Sequence, residues 1–220
     1  MQVHSIFNSI SGECGDIPQG AWVTFIRLDG CNLRCRYCDT VVTQVGNHHR
    51  ELTVEDVFEE VELLCSSKRV VITGGEPLLQ EKELIRLTAR LKEWGAFIQV
   101  ETNGSLVPSI PQLDLVDCWV VDFKTYGSGM THEMLWPKDL LKFPDGSFLK
   151  FVITDKNDYR QAVRQLVMVQ EIQSPRQFRF AFSACPPLNH ATLFEWMLKD
   201  SIPALFNVQI HKLTHLNENC

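Results

Sequence analysis

Short apolar runs rich in β-branched and aromatic residues alternate along the chain with stretches whose apolar positions recur at helical spacing. The run "AWVTFIRL" (21–28) predicts a strand. So do "RVVITGG" (69–75), "FIQVETNG", "CWVVDFK", "FLKFVIT", "QFRFAFSAC" and "ALFNVQIHK". Between the first two, "LTVEDVFEEVELLC" opens on Thr53 with an acid three residues on, Asp56, a pattern that resembles a capping box. "EKELIRLTARLKEW" keeps helical spacing up to Gly95, which is placed to end it. A longer helix is expected from about Asp158 to Ile172, and another over "ATLFEWMLKD".

Strands separated mostly by helices imply βα units and a parallel sheet. Right-handed crossovers wind such units into an open sheet or a barrel. At 220 residues a full eight-fold barrel is tight, so the expected α/β fold is a shortened, partly open (β/α) barrel of about six parallel strands. No linker, low-complexity segment or charge block interrupts the pattern, and a single domain over 1–220 is expected. Polar, glycine-marked segments follow successive strands: a cysteine-rich loop, then "TGGEP", "ETNG" and "DFK". Barrels and open sheets place their chemistry at such strand ends.

Composition narrows the partners. A net charge of −6, with no basic run longer than a pair, argues against nucleic acid or an anionic membrane. No stretch approaches the roughly 20 apolar residues of a membrane-spanning helix. The opening "MQVHSIFNSISGECGD" lacks the basic and apolar regions of a signal peptide, so a cytoplasmic protein is expected. In a reducing compartment the scattered Cys14, Cys65, Cys118, Cys185 and Cys220 read as ordinary packed thiols.

Cys31, Cys35 and Cys38 differ, because "CNLRCRYC" gathers three soft ligands in one loop at C-x3-C-x2-C spacing. A structural zinc ion needs four ligands, and the fourth would come from Asp39, His48, His49 or a remote cysteine. An iron–sulfur cubane is the other option. Three cysteines would leave one of its irons without a protein ligand, open to a small molecule. The spacing alone leaves both readings standing.

With Tyr37 before the last cysteine and "TGGEP" (73–77) after the next strand, the chain resembles the radical S-adenosylmethionine (AdoMet) superfamily. Within it, "SISGECG", "FIRLDGCNLRCRYCDT", "VVITGGEPLLQ", "VETNG" and "FNVQIHK" resemble the 7-carboxy-7-deazaguanine synthases nearly end to end. The resemblance implies a [4Fe–4S] cluster on Cys31, Cys35 and Cys38, and AdoMet on its open iron. Tyr37, Cys38 and Asp39 would border the adenine, and Gly75 the methionine end, with Glu76 beside it as a local anchor. Asp122, Phe123, Lys124, Ser183 and Gln209 would complete the AdoMet site, and Thr40 would contact Mg²⁺. The substrate, 6-carboxy-5,6,7,8-tetrahydropterin, would meet Ile10, Ser11, Gly12, Glu13, Arg27, Thr73 and His211. The chain departs from the family pattern at Ser11, Cys14, "DFK" and "FSACPP".

The implied reaction starts with a flavodoxin-like or other one-electron donor. A 5′-deoxyadenosyl radical then takes hydrogen from the pterin, and the ring contracts with loss of ammonia, a step toward queuosine and other 7-deazapurines. A homodimer is the family expectation. Two other readings compete: a glycyl-radical-enzyme activase, which shares the three-cysteine motif, and a non-catalytic metal-binding interaction protein. Pterin turnover separates the first from the main reading, and metal content separates the second.

Overall fold

The computed structural model describes residues 1–47, 49–172 and 178–210. The N-terminal segment forms a strand that the apolar pattern did not announce, β1 (Gln2–Ile10), antiparallel to β2 (Trp22–Leu28). A two-residue β3 (Arg50–Glu51) pairs with the free side of β1. The parallel strands follow in chain order: β4 (Arg69–Gly74), β5 (Phe97–Thr102), β6 (Cys118–Phe123), β7 (Phe148–Ile153), β8 (Arg179–Ala184) and β9 (Leu205–Asn207). Among the described residues six parallel pairings join seven strands from β2 to β9, one strand for each of the seven apolar runs and in line with about six parallel strands. The sheet order is β3-β1-β2-β4-β5-β6-β7-β8-β9, an unclosed sheet with β3 and β9 as its edges.

Among the described residues six α-helices lie between these strands: α1 (Val54–Leu64), α2 (Glu81–Glu93), α3 (Ile110–Leu115), α4 (Pro137–Leu140), α5 (Lys156–Ile172) and α6 (His190–Lys199). The capping box opens α1: Thr53 Oγ1 accepts from the Asp56 N–H at 3.1 Å, and the Asp56 carboxylate accepts from the Thr53 N–H at 2.8 Å. Gly95, at φ +85°, follows α2 where its end was expected. None of these helices is long and apolar enough to cross a membrane.

Alternate strand residues face opposite sides. Ile26, Leu28, Val70, Ile72, Ile98, Val100, Trp119, Val121, Leu149 and Phe151 join one large core with Leu84, Leu87 and Leu91 of α2 and Tyr159, Ala162 and Leu166 of α5. Each large apolar side chain so buried contributes roughly 1.5–3 kcal/mol. The opposite face turns inward and is smaller, with Cys14, Cys118, Val120, Phe148 and Ala181 in one group and Ile17, Val23 and Val71 in another. Cys14 and Ile17 come from the loop after β1. That loop also reaches the far edge: Ile210 N donates to Gly12 O at 3.2 Å, and Gln19 Nε2 donates to Asn207 Oδ1 at 3.0 Å and Val208 O at 2.8 Å. The open side of the partial barrel is therefore bridged by the 11–20 loop, whose apolar residues fill the floor. Above that floor the inward side chains turn polar.

Candidate active site

The segment after β2 carries the three cysteines, and the segment after β4 holds it in place. Gly75 N donates to Leu28 O at 3.0 Å and Glu76 N to Gly30 O at 2.8 Å. This contact requires bare glycine. A Cβ on Gly75 would lie 2.0 Å from Gly30 O, and one on Gly74 would lie 2.1 Å from Leu28 O. Gly75→Ala should therefore fold but displace the cysteine loop. Misplacement by about 1 Å can cost on the order of 10²-fold in rate, so a drop of that size in turnover, with reduced iron uptake on reconstitution, is expected from parallel assay and iron analysis.

Glu76 is fully buried and faces away from the cavity. Its carboxylate accepts from Leu78 N (3.0 Å), Thr102 Oγ1 (2.9 Å) and Asn103 N (2.7 Å). It ties the "TGGEP" turn to the "ETNG" turn, and Asn103 in turn donates from Nδ2 to Cys31 Sγ at 3.7 Å and to Asn32 Oδ1 at 3.0 Å. Leu33 N–H also points at Cys31 Sγ, at 3.4 Å.

One cavity collects Cys31, Cys35, Tyr37, Cys38, Asp39 and Thr40 from the cysteine loop, Thr73, Gly74 and Gly75 from β4 and its turn, and Glu101, Asp122, Lys124 and Lys150 from the following strands and turns. Burial raises the Cys31 thiol and pushes Cys35 up to about 11, with the Lys124 charge opposing the rise at Cys35. Among the described residues no three His, Cys, Asp or Glu side chains are grouped to hold a metal ion, and the thiols instead stand around the cavity wall. Thr40 O accepts from the Thr43 hydroxyl, but the Thr40 hydroxyl caps no helix and lies 3.9 Å from Cys38 Sγ.

Below the cysteines runs a belt of paired charges. Lys150 Nζ bonds the Glu13 carboxylate and lies 3.1 Å from Asp122 Oδ2, which Lys124 Nζ approaches to 3.0 Å. Gln209 Nε2 donates to Glu13 Oε1 at 2.6 Å, and Thr73 Oγ1 to Glu101 Oε2 at 3.1 Å. Burial alone would raise Asp122, but Lys124 and Lys150 hold it below the usual carboxylate range. Glu101 goes the other way: burial and then the Glu13 charge push it up to about 7, against the pull of Lys150, Thr73 and Arg27. Its folded value thus exceeds the unfolded 4.5, and the folded protein binds more protons than the unfolded chain across that window. Stability should accordingly fall as pH rises from 4.5 through about 7. Urea titrations at several pH values should show wild type losing ground to Glu101→Gln over that range.

Most of the residues expected from the sequence meet here, but several do not. Ile10, Ser11 and Gly12 stand where β1 pairs with the start of β2, away from the cavity wall. Ser11 is buried with Oγ 3.4 Å from Ile17 O, and Gly12 O accepts from Ile210 N. Only Glu13 of that loop reaches the wall. Phe123 points to the helix side and packs on Phe151, as strand alternation requires between Asp122 and Lys124. Ser183 is buried and accepts from Asn207 Nδ2 at 2.7 Å; Cys185, two residues on, lines the cavity instead. Arg27 faces inward opposite Thr73, with its guanidinium 5.5 Å from the Phe7 ring centroid. The last strand ends at Asn207, short of the expected span, so Gln209 reaches Glu13 from outside it. His48 and His211 lie outside the described residues. Sequence reasoning did not single out Glu101 or Lys150. The signal for Lys150 was present as a lone cation in an otherwise apolar strand run.

Comparison with known proteins fits this geometry. The Radical SAM superfamily model matches residues 25–117, which hold the cysteine loop and the "TGGEP" turn. A 7-carboxy-7-deazaguanine synthase of Koribacter versatilis is 33% identical over 96% of both chains. The chain belongs to the 7-carboxy-7-deazaguanine synthase family. Another member, from Methanospirillum hungatei, is 31% identical over 98% of this chain and 86% of its own. The crystal structure of QueE from Escherichia coli shares the fold, with a TM-score of 0.67 at 21% identity over 94% of this chain and 93% of that one. Membership makes this 7-carboxy-7-deazaguanine synthase family chain a radical AdoMet enzyme with a [4Fe–4S] cluster. The donor types suit that group: three thiols line the one cavity, N–H groups are aimed at Cys31 Sγ, and the glycine turn holds the cysteine loop in place.

Proposed function

We propose that the chain converts 6-carboxy-5,6,7,8-tetrahydropterin to 7-carboxy-7-deazaguanine with release of ammonia. The observation that carries this reading is the one cavity lined both by the three thiols and by the belt of Glu13, Glu101, Asp122, Lys124 and Lys150. In this reading Cys31, Cys35 and Cys38 hold the cluster. When bound, the cluster and AdoMet supply the hydrogen-abstracting radical.

The protein's own residues bind, orient and manage charge. Gly75 borders the methionine end of AdoMet, and Tyr37 and Asp39 flank its adenine. Lys150 and the inward-facing Arg27 answer the substrate carboxylate, Arg27 through its planar fork of donors. Glu13 and Glu101 accept from the N–H edge of the pterin. Glu101, pushed up to about 7, can hold a proton near neutral pH and pass it to the departing nitrogen. Thr40 supplies one oxygen to Mg²⁺, with water and substrate oxygens completing the shell. A one-electron donor, a homodimer, a cytoplasmic location and a place in queuosine biosynthesis belong to the same proposal through the family likeness.

The test is anaerobic turnover of the reconstituted protein with dithionite, AdoMet, Mg²⁺ and the pterin. One ammonia released per pterin consumed supports the reading. Intact pterin beside free 5′-deoxyadenosine would remove the substrate assignment and leave the radical chemistry standing. No structural observation favours the activase or the metal-binding interaction protein.

A further inference from the structure

A second groove lies on the outside of the molecule, against the cysteine loop. Arg36, the residue between Cys35 and Tyr37, forms one side. Arg160 and Arg164, one turn apart on α5, form the other, with exposed Tyr126 between the walls. All three arginines are exposed, and no carboxylate of the described residues forms an ion pair with any of them. Among the described residues Asp155 is the only acid on the groove, and its Oδ1 already accepts from Asn157 N at 2.8 Å and Asp158 N at 2.9 Å. The groove thus carries a surplus of two positive charges on a chain whose net charge is −6.

Both walls are fixed to one short turn. Arg36 N donates to Ser128 O at 3.0 Å, and a Cβ on Gly129 would sit 3.3 Å from Arg36 Nε. From the other wall, Gln161 Oε1 accepts from Tyr126 N at 2.8 Å and Asp158 Oδ1 from Gly127 N at 2.7 Å. A body seated in the groove therefore rests on the backbone that holds Cys35, without blocking the cavity on the inner side.

We infer that this groove is the docking surface for an acidic, one-electron carrier protein that reduces the cluster. The inference rests on the radical reading proposed above and adds the place and charge of the partner. Unpaired arginines around an exposed tyrosine form a polar, cationic face with an aromatic centre, a composition enriched at protein interfaces. An acidic carrier would be steered to it against the repulsion of the rest of the chain, and the attraction would weaken with salt. The electron leaves the carrier's reduced centre and arrives on the cluster, so the carrier is oxidised by one electron for each reductive event.

The experiment uses the full-length reconstituted chain and purified flavodoxin as the probe. Titration at low ionic strength should give a dissociation constant that rises with salt. It should weaken at least about tenfold in the double variant Arg160→Glu/Arg164→Glu, with Arg160→Lys/Arg164→Lys retaining most of the affinity. Formation of 5′-deoxyadenosine driven by reduced flavodoxin should fall with the binding, while the dithionite-driven rate of the same variant stays at the wild-type level. Absence of binding to wild type, or binding that survives the double reversal, overturns the inference. Equal loss with both reductants also overturns it, since the arginines would then act on the site itself. Failure of the radical reading appears separately, as no AdoMet cleavage by wild type with dithionite, and the binding titration still decides the docking surface.

Discussion

Cys35→Ala protein should be folded, free of cluster and inactive. Cys35 is only half-buried, and the backbone bond from Cys38 N to Cys35 O at 3.3 Å is kept by the substitution. Apo-protein stability should therefore change by less than about 1 kcal/mol. The loss falls on the metal. With one of three thiolates gone, anaerobic reconstitution should yield little bound iron and sulfide, and AdoMet cleavage and pterin turnover should drop below detection. Iron analysis, visible absorbance and product chromatography on one preparation check all of this. A brown, active Cys35→Ala protein would remove Cys35 from the cluster.

Lys150→Met should produce the largest loss of stability. Lys150 is 6% exposed and touches both Glu13 and Asp122. Burial opposes its charge, but Asp122, Glu13 and Glu101 together hold its pKa well above the usual lysine value. Methionine fills similar volume while removing the charge, so packing changes little and the carboxylates lose their shared partner. Breaking a buried pair from one side costs about 3–5 kcal/mol, and denaturant unfolding should show a loss of that size. The cause is testable by a cycle. Glu13→Gln keeps an acceptor for Gln209 and removes one stranded charge, so Lys150→Met/Glu13→Gln should be more stable than the two single losses added together. Additive losses would mean that the pair contributes no coupling.

The sequence made the parallel strands legible for a physical reason. β7 is buried along its whole length, and β4 through its middle, so their apolar runs are nearly continuous. β1 carries no such run. Ile6 joins the helix-side core and Phe7 stacks on Phe25 inside the barrel, while its remaining positions are largely half-exposed and polar. A register shift between Val3 and Ser5 breaks its alternation further. The short α3 and α4 span too few residues for a helical period to show.

The site divides along similar lines. Three cysteines and a glycine pair are local patterns, so their loops could be read directly. The charge belt is not local: Glu13, Glu101, Asp122 and Lys150 come from four separate segments and meet only through the strand register. Glu76 and Phe123 show the reverse limit. A motif names the residue but not the direction of its side chain, and in both cases that direction is away from the cavity.

The most direct measurement is an anaerobic crystal structure of the reconstituted chain with AdoMet and 6-carboxytetrahydropterin. The expected result is a [4Fe–4S] cluster held by Cys31, Cys35 and Cys38, with the pterin beneath it against Thr73, Glu101 and Lys150. A metal held by other residues, or a pterin bound outside this cavity, would contradict the account.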